Sequence, residues 1–220
     1  YVNKVTIPAS VTSIGSYAFF KNENLNLASL PGKVKTIGSR AFEGCTKIES
    51  MSLPGSITSI GSYAFQNCTG LKSVGMEYNS TVEYTAEIQL WAFAGCTSLE
   101  NVSLSENVVT LGHCVFANCS ALTSLVLPES LTKMGCQVIS GTAIGSITIP
   151  KNVKTSEHDY TYENGNTVYY GALANCKTLN EVVFEEGMTA IPSYILSSGG
   201  YTSYVNKVTI PASVTSIGSY

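Results

Sequence analysis

Two stretches of the chain, LPGKVKTIGSRAFEGCTKI from Leu30 and LPGSITSIGSYAFQNCTGL from Leu53, are nearly the same phrase written twice, 23 residues apart. Self-similarity at a fixed period restricts a chain more than composition does. A unit of that size cannot enclose an apolar face by itself and has to stack on its neighbours. The phrase opens at Val5 as VTIPASVTSIGSYAFFKNENL and returns in weaker form at Leu127 as LPESLTKMGCQVIS. Its skeleton is apolar-x-apolar-Pro, then x-x-apolar-x-x-apolar-Gly, then Ala-Phe two residues on, then x-x-Cys-x-x-Leu.

Anchored at Pro8, Pro31, Pro54, Glu77, Ser105, Pro128, Pro150, Glu185 and Pro211, successive units lie 23, 23, 23, 28, 23, 22, 35 and 26 residues apart. The peptide YVNKVTIPASVTSIGSY stands at both Tyr1 and Tyr204, identical at all 17 positions and in register with the repeat. The expected organisation is therefore one continuous solenoid over residues 1–220. It has eight repeats and a partial ninth, with insertions near 78–87, 155–167 and 197–204.

Within one unit, Val5 and Ile7 alternate with Lys4 and Thr6, the period of a strand with one buried face, and Pro8 closes it by removing a ladder donor. Stacked units predict a parallel sheet at about 4.8 Å per repeat. Its outward column reads Thr6, Ser29, Ser52, Ser103, Thr148 and Thr209. Val11 and Ile14 form a second apolar pair before Gly15, a residue suited to a left-handed turn or to close backbone approach. Phe19, Phe42, Phe65, Phe93 and Phe116, continued by Ile139, Leu173 and Leu196, share one position and predict an inward spine. A second aromatic set, Tyr17, Tyr63, Trp91 and Tyr194, recurs two residues earlier and reads as a packing stripe. The fold class is a repeat solenoid with short strands and turns and little regular α-helix.

The AF-x-x-C-x-x-L and LP-x-x-V-T-x-I-G phrases resemble the BspA-like group of leucine-rich repeats, found in bacterial and protist cell-surface proteins. The resemblance covers essentially the whole chain apart from the insertions. It implies a curved, right-handed leucine-rich-repeat stack, secretion or surface display, and adhesion to host or matrix proteins or to other cells. Repeat residues are scaffold, so the resemblance speaks to fold more specifically than to function.

Charged residues make up 12% of the chain, and Arg40 is its only arginine. Phosphate and base recognition leans on guanidinium groups, so nucleic acid is not an expected partner. No apolar run reaches the roughly 18 residues of a membrane span. The chain opens on Tyr1 without a Met or a signal peptide, as a window onto a longer protein would.

Five of the seven cysteines, Cys45, Cys68, Cys96, Cys119 and Cys176, occupy one repeat position, where the first repeat has Asn22. Asn in place of Cys suits a buried side chain that hydrogen-bonds a turn, so the column is expected to be reduced and structural. Cys114 and Cys136 lie off the column, one position out of step. In an extended segment that offset would send them to opposite faces. His113 beside Cys114 lacks an orienting third group, and EHDY from Glu157 reads as a solvated loop. A ladder of single thiols cannot converge on zinc, and one Asp cannot supply calcium loops. With neither a glycine-rich phosphate loop nor paired carboxylates, no catalytic, cofactor or metal residue is assigned. Of four glycosylation sequons, at Asn67, Asn79, Asn101 and Asn118, only Asn79 lies in an insertion.

Function is expected at the insertions. Those at 78–87 and 155–167 extend one and the same connection, ahead of Ile88 and of Val168, and should leave one edge, with bases about 14 Å apart. Their tyrosines, Tyr78, Tyr84, Tyr160 and Tyr162, with Tyr169 and Tyr170 just beyond, form a candidate protein-binding set. Tyr provides contact area at small rotamer cost. The first reading is a secreted or cell-surface adhesion module with a protein ligand. The alternative is a structural spacer or array in which chains associate end to end, suggested by the repeated terminus.

Overall fold

The computed structural model describes residues 3–78, 84–163, 166–199 and 204–219, with only the backbone described at 160–163, 166 and 168. Among the described residues there is no helix. The chain is a solenoid whose turns join through three backbone segments, each bonded to its counterpart in the next turn.

The first segment is the expected strand, and it forms two parallel three-stranded sheets rather than one. Ser50–Leu53, Ser73–Met76 and Asn101–Ser103 make one sheet, and Ser146–Ile149, Glu181–Phe184 and Lys207–Thr209 the other. Between them, Ser124–Leu127 pairs with neither sheet. Inward and outward positions alternate, as in Ser146–Ile149, where Ile147 and Ile149 are buried and Ser146 and Thr148 exposed. Each strand ends in a turn closed by the amide three residues after the anchor: Ile57 donates to Pro54 O, and Val108 does the same to Ser105 O. The turn therefore does not depend on proline.

The second segment makes the longest sheet. Sequence reading placed only a turn there, yet Ser13–Ile14, Thr36–Ile37, Ser59–Ile60, Ala86–Ile88, Val108–Leu111, Lys133–Met134 and Thr155–Ser156 form seven parallel strands. Two-residue strands carry almost no sequence signature, and only the partner in the next turn makes them strands. Of the two roles open to the following glycine, close approach is the one used. A Cβ on Gly38 would stand 2.4 Å from Ser16 N, and one on Gly61 2.7 Å from Ser39 N.

The third segment carries the spine. Phe42 N donates to Ala64 O and Phe65 N to Ala92 O, both at 2.7 Å, and the phenyl rings stack. Centroids from Phe19 to Phe93 are 5.0–5.1 Å apart with planes within 14°, and Phe93 to Phe116 is 5.7 Å. That spacing is the repeat rise. Ile139 and Leu173 extend the column, both buried. Leu196, expected in the spine, is 36% exposed while Ile195 beside it is buried, because no later turn covers the column there. The backbone kinks sharply to return the chain: Tyr17, Arg40, Tyr63, Trp91, Cys114, Gln137 and Tyr194 all have φ of 54–62°. The aromatic stripe is thus a row of left-handed residues, and Arg40 joins it by lying 4.4 Å over the Tyr63 ring.

Inside the same segment, the cysteine column ties each turn to the previous one. The thiols of Cys45, Cys68, Cys96 and Cys119 donate to the carbonyls of Phe19, Phe42, Phe65 and Phe93 at 3.1–3.2 Å. Burial pushes Cys45 up to about 11 and Cys176 to about 12, with Cys68 and Cys96 raised further by the same desolvation. All seven cysteines are free and buried.

Three local expectations are corrected. The segment carrying Cys114 is not extended, so the alternation that would send Cys114 and Cys136 to opposite faces does not apply: Cys114 sits in a left-handed kink, its amide donates to Cys136 O and its thiol to Gln137 Oε1. EHDY is exposed at His158 and Asp159 as expected but is no free loop, since Asp159 opens a strand, Glu157 pairs with Lys133 and His113, and His158 stacks on Tyr194 at 3.9 Å. The insertion at 155–167 enters after the short strand, not before it. Thr155–Ser156 pairs with Lys133–Met134, so Ser156 takes the column position for which Val168 was the apolar choice. Its buried hydroxyl has no hydrogen-bond partner among the described residues.

Candidate functional site

The six candidate tyrosines do not share one environment. Tyr78 is 59% exposed. Tyr84 reaches back to the solenoid wall, its hydroxyl donating to Gly55 O at 3.0 Å. Tyr160 and Tyr162 lie in Asp159–Glu163, the first strand of an antiparallel hairpin completed by Asn166–Tyr170, and their side chains fall outside the described residues. Tyr169 pairs across that hairpin with Tyr160 and packs in a cluster with His158 and Tyr194, at 5.1 and 5.3 Å. Tyr170 is buried, and Ser198 bridges to it. Asn79 lies outside the described residues, as do 200–203 of the third insertion.

The hairpin and the first insertion leave the stack at opposite ends of the same short strand row. Residues 77–85 precede Ala86–Ile88, whereas the hairpin follows Thr155–Ser156. A pattern of apolar residues could not separate these cases, because Val168 satisfies the column as well as any residue in sequence.

A second surface emerges from the outward strand column. Register places Ser52 beside Gly75 and Gly75 beside Ser103 in one sheet, and Thr148 beside Val183 and Val183 beside Thr209 in the other. Val126 belongs to the same column by its spacing from Pro128, and it is 81% exposed. The column of small hydroxyls is therefore interrupted by one fully presented branched apolar side chain, at the place where the two sheets part. Hollows of about 450 and 400 Å³ flank it, sharing Ser124 and Val126. Glu106, Glu129 and Glu185 border the larger hollow, and Asn101 and Ser103 the smaller. Chemically, this is an apolar centre set between two parallel sheets, with hydroxyls around it and carboxylates at the rim. Sequence reading named the hydroxyl column and passed over Val126. The signal was present, since Val126 and Val183 are the two branched apolar residues in a column otherwise of hydroxyls and glycine.

Comparison with known proteins agrees with this architecture. A family model for the BspA-type leucine-rich repeat region, in six copies, matches residues 1–86, 80–167 and 160–220. Among solved structures the chain is similar to a leucine-rich repeat protein from Bacteroides ovatus, with 26% identity and a TM-score of 0.57, over 99% of this chain and 63% of that one. It is similar in fold to the T. pallidum leucine-rich repeat protein, with 23% identity and a TM-score of 0.52, over 98% of this chain and 73% of that one. It also shares the fold of the pneumococcal vaccine antigen PcpA, with 20% identity and a TM-score of 0.56, over 96% of this chain and 51% of that one. No curated protein matches the chain. The stacked phenylalanines, the thiol column and the parallel strand rows are thus the expression of one repeat, and the chain belongs to the BspA-type leucine-rich repeat family.

Proposed function

We propose that the chain is a protein-binding module, displayed at the cell surface or secreted, that docks a protein ligand on the outward face of its strands. Val126 carries the reading. An apolar side chain left 81% exposed between two parallel sheets, ringed by Ser124, Ser103 and Thr148, has the arrangement of an interface anchor with a polar rim. Adhesion to matrix or to other cells is the activity such a module would perform. The tyrosine edge contributes through Tyr78 and the hairpin strand bearing Tyr160 and Tyr162.

Val126→Glu tests this directly. The side chain is exposed, so its replacement leaves the melting temperature unchanged, while a carboxylate added beside Glu106, Glu129 and Glu185 repels an apolar or acidic ligand. Binding to immobilised matrix proteins and to cells is expected to fall by about tenfold or more, the scale of a hot-spot residue. Unchanged binding by Val126→Glu, with loss in the double variant Tyr160→Ala/Tyr162→Ala, would move the site to the hairpin. A chain that captures nothing and grows in light scattering would replace the module with the self-associating array.

A further inference from the structure

Two of the seven thiols stand apart from the column. Cys114 belongs to a small outer cluster with Ala94 and Ala117, against which Trp91 packs. Cys114 N donates to Cys136 O at 2.9 Å, so the two residues lie side by side on adjacent turns, a separation a disulfide can bridge. The backbone at Cys114 is left-handed (φ 55°), and its thiol donates to Gln137 Oε1, the residue after Cys136, at 3.7 Å.

His113 lies against the same sulfur. Its Nδ1 is 2.9 Å from Cys136 Sγ and accepts the Cys136 amide at 3.1 Å, while Nε2 is 3.1 Å from Glu157 Oε2. The other carboxylate oxygen of Glu157 is 2.6 Å from Lys133 Nζ. With Nε2–H given to the carboxylate, Nδ1 is left as an acceptor facing a thiol. Nucleophile, base and orienting group are thus within reach of one another, drawn from three successive turns. The charged groups facing this cluster are Glu157, Lys133 and Asp159. The neighbouring Cys114 thiol, and then the contact with His113, hold the Cys136 thiol below the ordinary range, against the opposing effect of burial, and Cys114 is raised in return.

We propose that Cys136 and Cys114 form a peroxide-reactive dithiol, with His113 as proton acceptor and Glu157 as its positioning residue. The Cys136 thiol passes its proton to His113 Nδ1, and the thiolate attacks the terminal oxygen of a hydroperoxide. An S–O bond forms as the O–O bond breaks, and the alkoxide or hydroxide that leaves takes the proton from His113. The sulfur is oxidised by two electrons to a sulfenic acid and the peroxide is reduced to an alcohol or water. The Cys114 sulfur then displaces the sulfenic hydroxyl, closing the S–S bond, and its proton leaves with that hydroxyl as water. Exposures of 2% for Cys136 and 4% for Cys114 suit a water-sized oxidant and disfavour a bulky one. The column cysteines, raised by burial and committed to carbonyls, take no part.

The chain carries its own reporter, since Trp91 is its only tryptophan. Hydrogen peroxide added to the wild-type chain is expected to remove two of the seven thiols, yield a Cys114–Cys136 linked peptide in non-reducing mass spectrometry, and quench Trp91 emission. Cys114→Ser should trap a sulfenic acid at Cys136, readable with a dimedone probe. His113→Asn should slow oxidation at pH 6.5 by about tenfold or more and restore the steep rise with pH of an ordinary thiol, with Glu157→Gln between the two. Retention of all thiols by the wild-type chain, at peroxide levels that oxidise an unstructured cysteine peptide, overturns the proposal. So does a bond formed within the column, or a His113→Asn variant with wild-type rate and pH profile.

Discussion

In the copy of the terminal peptide that starts at Tyr1, Ile14 is 6% exposed and a Cβ on Gly15 would meet nothing within 4 Å. In the copy that starts at Tyr204 the same two positions are reversed: Ile217 is 66% exposed, and a Cβ on Gly218 would stand 2.4 Å from Ser193 N. Strand formation differs too. Lys207–Thr209 pairs with Glu181–Val183, whereas the matching Lys4–Thr6 is in no strand. The two peptides are identical, so the difference belongs to their neighbours. Each turn presses its glycine back onto the turn before and has its isoleucine covered by the turn after. The first copy has only a turn after it in this chain, and the second only a turn before.

The largest effect that sharpens this contrast is expected in the middle of the stack, where a residue is covered on both sides. Phe65, stacked between Phe42 and Phe93, should cost about 3–5 kcal/mol on replacement by Ala, whereas Leu196→Ala should cost less than about 1 kcal/mol. Chemical denaturation of both variants measures the gap, and equal losses would mean that neighbouring turns do not set burial. Between the copies themselves, Ile14→Ala should lose about 2 kcal/mol or more and Ile217→Ala almost nothing, since a cavity term arises only where a cavity is enclosed.

The glycines predict the opposite asymmetry. Gly218→Ala forces a methyl into the backbone of Ser193 and should destabilise by about 1–3 kcal/mol. Gly15→Ala has open space and is expected to be neutral, or to stabilise by about 0.5 kcal/mol through the unfolded chain. Thermal melts that rank these two the other way would break the account of which direction each turn packs. The smallest difference lies at the turn serines. Ser213 Oγ donates to Met188 O at 2.8 Å and accepts Gly187 N at 3.1 Å, while its counterpart Ser10 is exposed. Ser213→Ala should cost about 1 kcal/mol and Ser10→Ala a few tenths at most, a gap that replicate urea titrations can read.

What the sequence by itself determined is the set of columns. Phe42, Phe65, Phe93 and Phe116 could be assigned inward, and Cys45 to Cys119 to a buried hydrogen-bonding row, while the glycine after the second apolar pair was left between a left-handed turn and a close approach. Stacking makes identical positions neighbours, and periodicity along the chain is then a direct record of contact across turns. The outward hydroxyl column was legible for the same reason, and Val126 with it, had the exception been read as well as the rule. Tertiary structure alone decided whatever depends on a partner in another turn that the repeat does not specify. Ser156 and not Val168 fills the column because Lys133–Met134 captures Thr155–Ser156, leaving the hairpin to loop out afterwards. His113, Cys136 and Glu157 are 23 and 21 residues apart in sequence and meet only because their turns stack. A left-handed kink at Cys114, invisible in an alternating pattern, sets its amide on Cys136 O. Two copies of one peptide can be buried and exposed, strand and coil, because the free energy of a repeat resides largely in the interfaces it shares and not in the repeat itself.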